Sequence, residues 1–457
     1  MTKGRDLTLT NNSKIAIIGG GPAGAFFSIF ASKLAHDLGR QLDITIYERK
    51  TFVNQGAAGC NMCAGVISES LVQLLALEGI NLPTSVVQWG IDSYYFHTPN
   101  GSTRIKSSRL HQQRGIATIY RGGGPKGSLE KGIQSFDDFL LGKALELGVR
   151  VKQIMVDEVC LDGDKPMIYS DGNVLQECDL LVGAFGIKAN TAKLFERLPM
   201  GYAAPLTIKA TQSEIELGTE WIANYFGNSI HIFLLHIPGV KFVSIIPKGD
   251  YVTVSILGEE PKVDHVKAFL NHPFLKKMLP PDFRVPEKFC HCFPKINVKA
   301  AMKPFADRLV FVGDASSARL YKDGIGSAYI TAKAAAHTAI LFGVGEESFR
   351  SQYLPTCKTL DWDNRYGQFL FKANDWMTKM PPVSRGYFEM IQKEQSSSKE
   401  QTPCSNILWD MFTGSRFYKD VFLRAINPCF ILSLLGAVIT SFFRKGFICC
   451  GKKWFSK

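Results

Sequence analysis

Ile15-Ala-Ile-Ile-Gly-Gly-Gly-Pro-Ala-Gly24 is the stretch that decides how this chain folds. Lys14 to Ile18 reads as a short buried parallel strand, and Ala23 to Leu38 reads as the helix that follows. Gly19, Gly21 and Gly24 supply the G-x-G-x-x-G spacing between them. Gly19 allows the tight turn, Gly21 lets the backbone approach a pyrophosphate, and Gly24 lets helix and strand pack closely. The helix then opens at Ala23 with free N–H groups and the positive end of its dipole toward the phosphates. A second strand, Asp43 to Tyr47, ends at Glu48, 24 residues after Gly24, where a carboxylate can bind ribose hydroxyls. Strand, turn, helix, strand and terminal acid together specify a dinucleotide site.

The rest of the chain is built around that unit. Its 457 residues are enough for two or three domains, and an apolar fraction of 46% with 21% charged residues is that of a globular protein. Met1 to Ser13 is polar and lacks the apolar core of a secretory signal. The 11 cysteines form no evident disulfide framework and read as thiols of a reducing compartment. The net charge of +12 is concentrated at the C-terminus, where residues 416–457 contain eight basic residues and one acid, Asp420. The same segment holds the most apolar run, Cys429 to Phe443, with Asn427-Pro428 as a helix start. Fifteen helical residues rise only ~22 Å against a hydrocarbon core of ~30 Å. Snorkelling by Arg444 and Lys445 and continuation through Phe447 to Cys450 would extend it. This composition predicts a tail that seeks an anionic membrane surface, beside which Cys449-Cys450 is a palmitoylation candidate; the bland alternative is a helix buried in the protein's own core. No basic–aromatic groove motif accompanies the charge, so nucleic acid is not an expected partner.

Two later segments read as the dinucleotide domain resuming: Leu180–Val182 leading into Gly183-Ala-Phe-Gly186, and Leu309-Val-Phe-Val-Gly-Asp-Ala315. Between them, Leu206–Ala210, Ile230–His236, Phe242–Ile246 and Tyr251–Leu257 alternate with Pro-Gly and Lys-Gly-Asp turns, as an inserted antiparallel sheet would. The expected organisation is a discontinuous cofactor domain over 14–200 and 295–345 with a β-rich substrate domain at 201–294. A helical part at 346–391, a linker at 392–402 and the tail at 403–457 complete it.

With these motifs in hand, the chain over about 14–345 resembles the flavoprotein hydroxylase superfamily, and more closely its geranylgeranyl-reductase branch. The resemblance rests on Gly19-x-Gly21-x-x-Gly24 with Glu48, and on Gly313-Asp314 followed by Asp323-Gly-Ile-Gly-Ser-Ala328. It implies an α/β fold, a Rossmann-like FAD-binding domain with an inserted antiparallel sheet. It places Asp314 on the ribityl hydroxyls of FAD, and Gly324, Ile325 and Gly326 at the pyrophosphate and flavin ring. Ser327 to Leu341 would be the alanine-rich helix behind them. Arg121, in Ile119-Tyr-Arg-Gly-Gly-Gly124, would lie close to the FAD phosphates, and Arg49 beside Glu48 joins the cofactor-binding set. Asp137 reads as no more than the N-cap of a helix from Asp138 to Leu147.

Two departures from the family pattern stand out. Phe185-Gly186 replaces an Asp-Gly pair, which removes a family contact to cofactor or pyridine nucleotide. Phe242-Val-Ser-Ile-Ile-Pro247 replaces Tyr-x-Trp-x-Phe-Pro, so Ser244, flanked by Phe242 and Ile246, would open the substrate cavity.

Gly59-Cys-Asn-Met-Cys-Ala-Gly65 falls where the family's reductases place a cysteine segment by the flavin. Cys60 and Cys63 are the candidate catalytic residues, as thiols that tune the flavin or donate a proton. Three other readings stay open: a redox-active Cys60–Cys63 disulfide, four thiolates completed by Cys290-His-Cys292, or small residues at a tight turn. No metal is expected, and His231 and His236 read as satisfied wall residues. The resemblance implies an FAD-dependent oxidoreductase that saturates C=C bonds of an isoprenoid or other lipid at the membrane. Its electron donor would be NADPH, ferredoxin or a quinol, and its body would be cytoplasmic, held to the membrane through 416–457. A monooxygenase of an apolar substrate is the enzymatic alternative; an electron-transfer or thiol redox-sensing flavoprotein is the alternative from another class.

Overall fold

The computed structural model describes residues 7–106, 116–125, 132–161, 163–235, 237–321, 323–396 and 403–454, with side chains to Phe442 in the last helix. From the N-terminus, β1 (Lys14–Ile18), α1 (Pro22–Asp37) and β2 (Asp43–Tyr47) form the expected strand–turn–helix–strand unit. Pro22 stands at the first turn of α1, where its missing N–H costs nothing. A hairpin follows, β3 (Ser93–Thr98) and β4 (Gly101–Lys106), then α2 (Phe136–Glu146), β5 (Arg150–Lys152) and β6 (Leu180–Gly183). The inserted strands are β7 (Leu206–Glu216), β8 (Ser229–Phe233), β9 (Val240–Lys248), β10 (Tyr251–Gly258), β11 (Cys290–Cys292) and β12 (Lys295–Lys299). The chain then returns through β13 (Phe305–Ala306), β14 (Leu309–Phe311) and α3 (Gly324–Leu341). Five helices end it: α4 (Leu354–Lys379), α5 (Pro381–Ser396), α6 (Pro403–Thr413), α7 (Tyr418–Ala425) and α8 (Pro428–Trp454).

The first sheet has the order β13-β14-β6-β1-β2-β5, parallel except for the β13–β14 pair. Strands 15–18 and 180–182 are buried on both faces, as the continuous apolar runs require. One face is covered by α1, α2 and α3, whose Phe26, Phe30 and Tyr329 rings meet edge-on and stacked. A shared layer of Phe185, Phe195, Tyr202 and Phe311 fills the other face. Phe185, standing where an acid was expected by family pattern, is therefore a core residue.

The second sheet corrects the expected domain boundary and its strictly antiparallel character. Its order is β11-β7-β10-β9-β8-β3-β4, with β12 also paired to β7. The hairpin 93–106, assigned by sequence to the cofactor domain, joins this sheet through a parallel β3–β8 pairing. Adjacent residues of that pairing carry a chain of neutral groups. Ser102 Oγ lies 2.7 Å from His97 Nδ1, His97 Nε2 lies 2.9 Å from His231 Nδ1, and His231 Nε2 lies 2.9 Å from the Phe226 carbonyl. The carbonyl can only accept, so His231 Nε2 donates, His97 Nε2 donates to His231, and Ser102 donates to His97. His231 is thus a satisfied wall residue, while His236 lies outside the described residues.

The C-terminal part also departs from expectation. Residues 392–396 of the expected linker continue α5, and 397–402 lie outside the described residues. The segment from Pro403 is not a free tail: Cys404, Leu408, Trp409 and Met411 of α6 and Tyr418 and Val421 of α7 are buried against the second sheet and α4. Asn427 does cap α8, accepting from the Cys429 N–H at 2.9 Å. One side of α8 packs on α5 so closely that a Cβ on Gly386 would lie 2.7 Å from the Val438 Cα. Among the described residues no single helix is long and apolar enough to cross a membrane; only α7 and the 428–442 part of α8, bent by 61°, pass together by length and composition. The side chains of Arg444, Lys445 and Cys449-Cys450 lie outside the description.

Burial pushes His97 down to about 3, with His231 adding to the effect, and pushes His231 down to about 4. Unfolding therefore takes up protons below pH ~6.5, and each histidine withdraws about 1.4 kcal/mol of stability per pH unit until its folded pKa is reached. Thermal unfolding should shift down steeply between pH 6.5 and 4, and His231→Gln should flatten that slope; an unchanged slope would show that the pair does not titrate on unfolding.

Candidate cofactor and active site

The glycine turn is built as its spacing requires. Gly19 has φ +108, and a Cβ there would sit 2.5 Å from the Ala184 carbonyl oxygen. A Cβ on Gly24 would lie 2.0 Å from the Gly19 carbonyl oxygen, so helix and strand touch through backbone alone. Gly21 differs: the nearest atoms to a Cβ are Asn61 Nδ2, Asp137 Oδ1 and Arg121 Nη2, at 3.5, 3.6 and 3.7 Å. No side chain caps the first turn of α1. Its backbone donors and the Arg121 guanidinium thus face one space, the setting a pyrophosphate needs.

Arg121 owes its position to Asp137. Its Nε and Nη2 reach the two carboxylate oxygens at 2.6 and 2.9 Å, and Asn61 Nδ2 adds a third bond to Oδ1 at 2.6 Å. The Asp137 side chain is 0% exposed and Arg121 15%. Burial opposes the charge of Arg121, but the Asp137 carboxylate and the Cys63 thiol outweigh it and raise its pKa. Ser135, not Asp137, caps α2, through the Asp138 N–H at 3.3 Å. Asp137 is therefore a site residue that capping logic misplaced by two positions.

Glu48 is buried, with Oε2 accepting from the Gly20 N–H and Oε1 from the Lys50 N–H, both at 2.9 Å. Lys188 approaches Oε1 at 3.5 Å. Arg49 is exposed and lines no cavity, whereas Lys50 does. Lys50 donates to the Cys60 carbonyl and to Asn61 Oδ1, and burial together with Lys188 lowers its pKa.

A single cavity of about 610 Å³ runs from this cradle to the second sheet. At the cofactor end it is lined by Gly21, Ala23, Glu48, Arg121, Asp314, Gly324 and Ile325. Gly313 (φ +63) and Gly326 stand behind the wall, each at a close contact: a Cβ on Gly313 would meet that of Ala23 at 2.7 Å, and one on Gly326 the Asp323 carboxylate at 2.3 Å. Asp314 is held at its carbonyl by Asn297 Nδ2 at 3.0 Å, and burial pushes its carboxyl up to about 6, opposed by Arg121. Asp323 caps α3 from a left-handed conformation, accepting from the Gly326 N–H at 3.2 Å.

At the other end the wall is apolar: Tyr94, Ile230, Ile232, Phe242, Ile246, Leu257, Phe371, Met411 and Phe412, with Ser244 among them. Phe242, Ser244 and Ile246 all stand in this wall. Sequence reasoning missed the roof. Arg319 Nη1 donates to the Gly414 carbonyl at 2.6 Å and meets Asp323 Oδ2 at 3.1 Å, while Nη2 donates to the Arg416 carbonyl. Tyr418 Oη donates to the Leu320 carbonyl at 2.6 Å. The 413–418 segment is thereby pinned to the loop that opens α3.

The turn at 59–65 forms the remaining wall. Cys63 faces the cavity, with Sγ accepting from the Gly65 N–H at 3.4 Å, and Met62 beside it adopts φ +51. Cys60 lies behind, accepting from the Met62 N–H at 3.2 Å, and burial pushes its thiol up. Burial, Glu214 and Cys60 push Cys290 up to about 11, and burial with Cys60 and Cys290 pushes Cys292 to about 12. The two cysteine pairs thus feel each other, yet no group of three or more His, Cys, Asp or Glu among the described residues is arranged to hold a metal ion. The nine described cysteines are free thiols.

No family model and no curated protein matches the sequence. Solved structures do match the fold. A geranylgeranyl bacteriochlorophyll reductase-like protein from Thermoplasma acidophilum superposes with a TM-score of 0.60 at 15% identity, over 94% of this chain and 100% of its own. A flavoprotein/dehydrogenase from Cytophaga hutchinsonii gives 0.63 at 16%, over 94% and 100%. The p-nitrophenol 4-monooxygenase of Pseudomonas putida gives 0.56 at 13%, over 93% and 99%. The fold is that of flavin-dependent oxidoreductases, as the motifs indicated; reductases and oxygenases share it.

Asp137→Asn removes the charge that holds Arg121. It should cost about 3 kcal/mol, read as a lower urea midpoint, because a buried guanidinium loses its partner. Nucleotide affinity should fall at least tenfold in the same variant; wild-type affinity would show that Arg121 needs no clamp.

Proposed function

We propose that this protein is an FAD-dependent oxidoreductase that reduces C=C bonds of an isoprenoid or other lipid at a membrane surface. The single observation that carries this reading is the continuity of the cavity, from the Gly21–Arg121 cradle to an apolar end walled by Phe242, Ile246, Tyr94 and Phe412. The likeness in fold to a geranylgeranyl bacteriochlorophyll reductase-like protein and to a flavoprotein/dehydrogenase supports the reading.

When bound, FAD supplies the hydride chemistry. The chain's own residues bind and orient. Arg121 and the N-terminus of α1 would hold the pyrophosphate, Glu48 at the end of β2 would bind a ribose, and Asp314 would bind the ribityl hydroxyls. A carboxyl with a pKa near 6 can both donate to and accept from such hydroxyls. The apolar wall holds an aliphatic chain and excludes water, and Ser244 leaves room for its width. Cys63 stands at the wall with Cys60 behind it. Burial raises the pKa of Cys60, so behind the Cys63 wall it stays a protonated thiol at neutral pH.

The membrane part of the proposal rests on α8. Ile431, Leu432, Leu435, Ile439 and Phe442 are exposed along one helical face, while Phe430 and Ser441 face inward. Leu423 of α7 and Ile426, just past its end, are also exposed. A helix with one apolar face outward suits burial in the interfacial zone of a bilayer, beside the roof of the cavity.

Two experiments test these points. Holoprotein turning over a polyprenyl lipid should yield product two mass units heavier without consuming oxygen; stoichiometric oxygen uptake with hydroxylated product would replace the reductase reading by the monooxygenase. Leu432→Ser with Ile439→Ser should move the protein from the vesicle-bound to the free fraction with its flavin spectrum unchanged. Undiminished sedimentation with vesicles would remove α8 as the contact.

A further inference from the structure

A second cavity, about 1210 Å³ and separate from the cofactor site, opens where the edge strand β4, α5 and α8 meet. Its chemistry differs from that of the first. Arg104 and Lys106 project from β4 and Lys393 from α5, against one carboxylate, Glu389. Arg104 already holds Asp92 at 3.0 Å and Ser93 Oγ at 2.9 Å. Lys106 and Lys393 have no carboxylate partner among the described residues. The amides of Gln392 and Gln395 stand beside them, while the hydroxyls of Ser102, Ser396, Ser433 and Thr440 donate to His97 Nδ1, the Lys393 carbonyl, Met390 Sδ and the Gly436 carbonyl. Gly436 leaves the α8 wall open, since a Cβ there would meet nothing within 4 Å.

The groove also adjoins an apolar surface. Ser433, Gly436 and Thr440 lie on the groove side of α8, and Leu432, Leu435 and Ile439 lie on the neighbouring exposed strip, with Gly436 one turn from Leu432. A cationic pocket with side-chain amides, opening directly onto an aliphatic strip, matches a molecule with a phosphate head and acyl chains. We infer that this groove binds the headgroup of an anionic phospholipid, whose chains lie along Leu432, Leu435 and Ile439. The inference rests on the membrane reading of α8 and adds to it a lipid-selective site that sets how the cavity roof meets the bilayer.

The test uses the full-length holoprotein and vesicles of phosphatidylcholine alone or with phosphatidylglycerol, at fixed ionic strength. The wild type should bind the phosphatidylglycerol vesicles at least tenfold more tightly. Lys106→Gln with Lys393→Gln should abolish most of that preference and leave binding to phosphatidylcholine intact. Lys276→Gln with Lys277→Gln, an equal charge loss on exposed residues elsewhere, should keep the preference. Both pairs are exposed, so folding should survive, as an unchanged thermal midpoint would show. A preference that persists in the groove variant, or falls equally in the control, overturns the site while the membrane reading stands. Failure of the wild type to bind either vesicle overturns both. Full competition by millimolar glycerol 1-phosphate would assign the groove to a soluble phosphate ester and contradict the lipid.

Discussion

The buried ion pair between Arg121 and Asp137 is the constraint on which the site depends. It ties together three segments far apart in sequence: the loop after the 116–119 strand, the first turn of α2 and, through Asn61, the cysteine turn. All three converge on Gly21, the one glycine of the turn where an added Cβ would meet their polar atoms at no closer than 3.5 Å. A desolvated pair of this kind adds little net stability, because desolvation cancels most of its attraction. Its value is positional. With both carboxylate oxygens engaged, the guanidinium is fixed in one orientation before any ligand arrives, and its remaining donor edge faces the cavity. A phosphate that binds there meets an ordered cation and ordered backbone donors, so little ordering is left to be done on binding.

The same economy appears at the roof. Arg319 is buried and satisfies the Gly414 and Arg416 carbonyls while touching Asp323, the residue that caps α3. The cofactor-facing end of α3 and the segment leading into α7 are therefore one hydrogen-bonded unit. A change in the seating of α7 and α8 has a direct route to the loop beside the flavin site. The exposed apolar strip of α8 sits at the outer end of that route. The roof of the apolar cavity and the exposed apolar strip are thus placed on connected elements.

Much of this was legible in the sequence, and the misses have physical reasons. The β1–α1–β2 unit follows from glycine spacing and apolar runs, which are local. The strands of the insert were also local, in β-branched composition and turn residues. The parallel β3–β8 pairing was not, because no pattern within Ser93–Thr98 states which distant edge it joins. Asp137 looked like a cap because acids favour helix starts; only the fold brings Arg121 within 2.6 Å of it. Arg49 was named from its place beside Glu48; the structure leaves it exposed and puts Lys50 in the cavity wall. The C-terminal segment was read from charge and hydropathy as one tail. Those averages could not separate the buried faces of α6 and α7 from the exposed face of α8.

A pyrophosphate cradle of Gly21, Arg121 and Asp137 would select FAD over flavins that lack the diphosphate. The most direct measurement is the affinity of flavin-free protein for FAD and for FMN, which shares the ring, ribityl chain and one phosphate but lacks the bridging diphosphate. FAD should bind at least 100-fold more tightly, and Arg121→Ala should erase most of that difference while leaving FMN affinity nearly unchanged. Equal affinities for the two, or a wild-type preference for FAD in Arg121→Ala, would contradict the account.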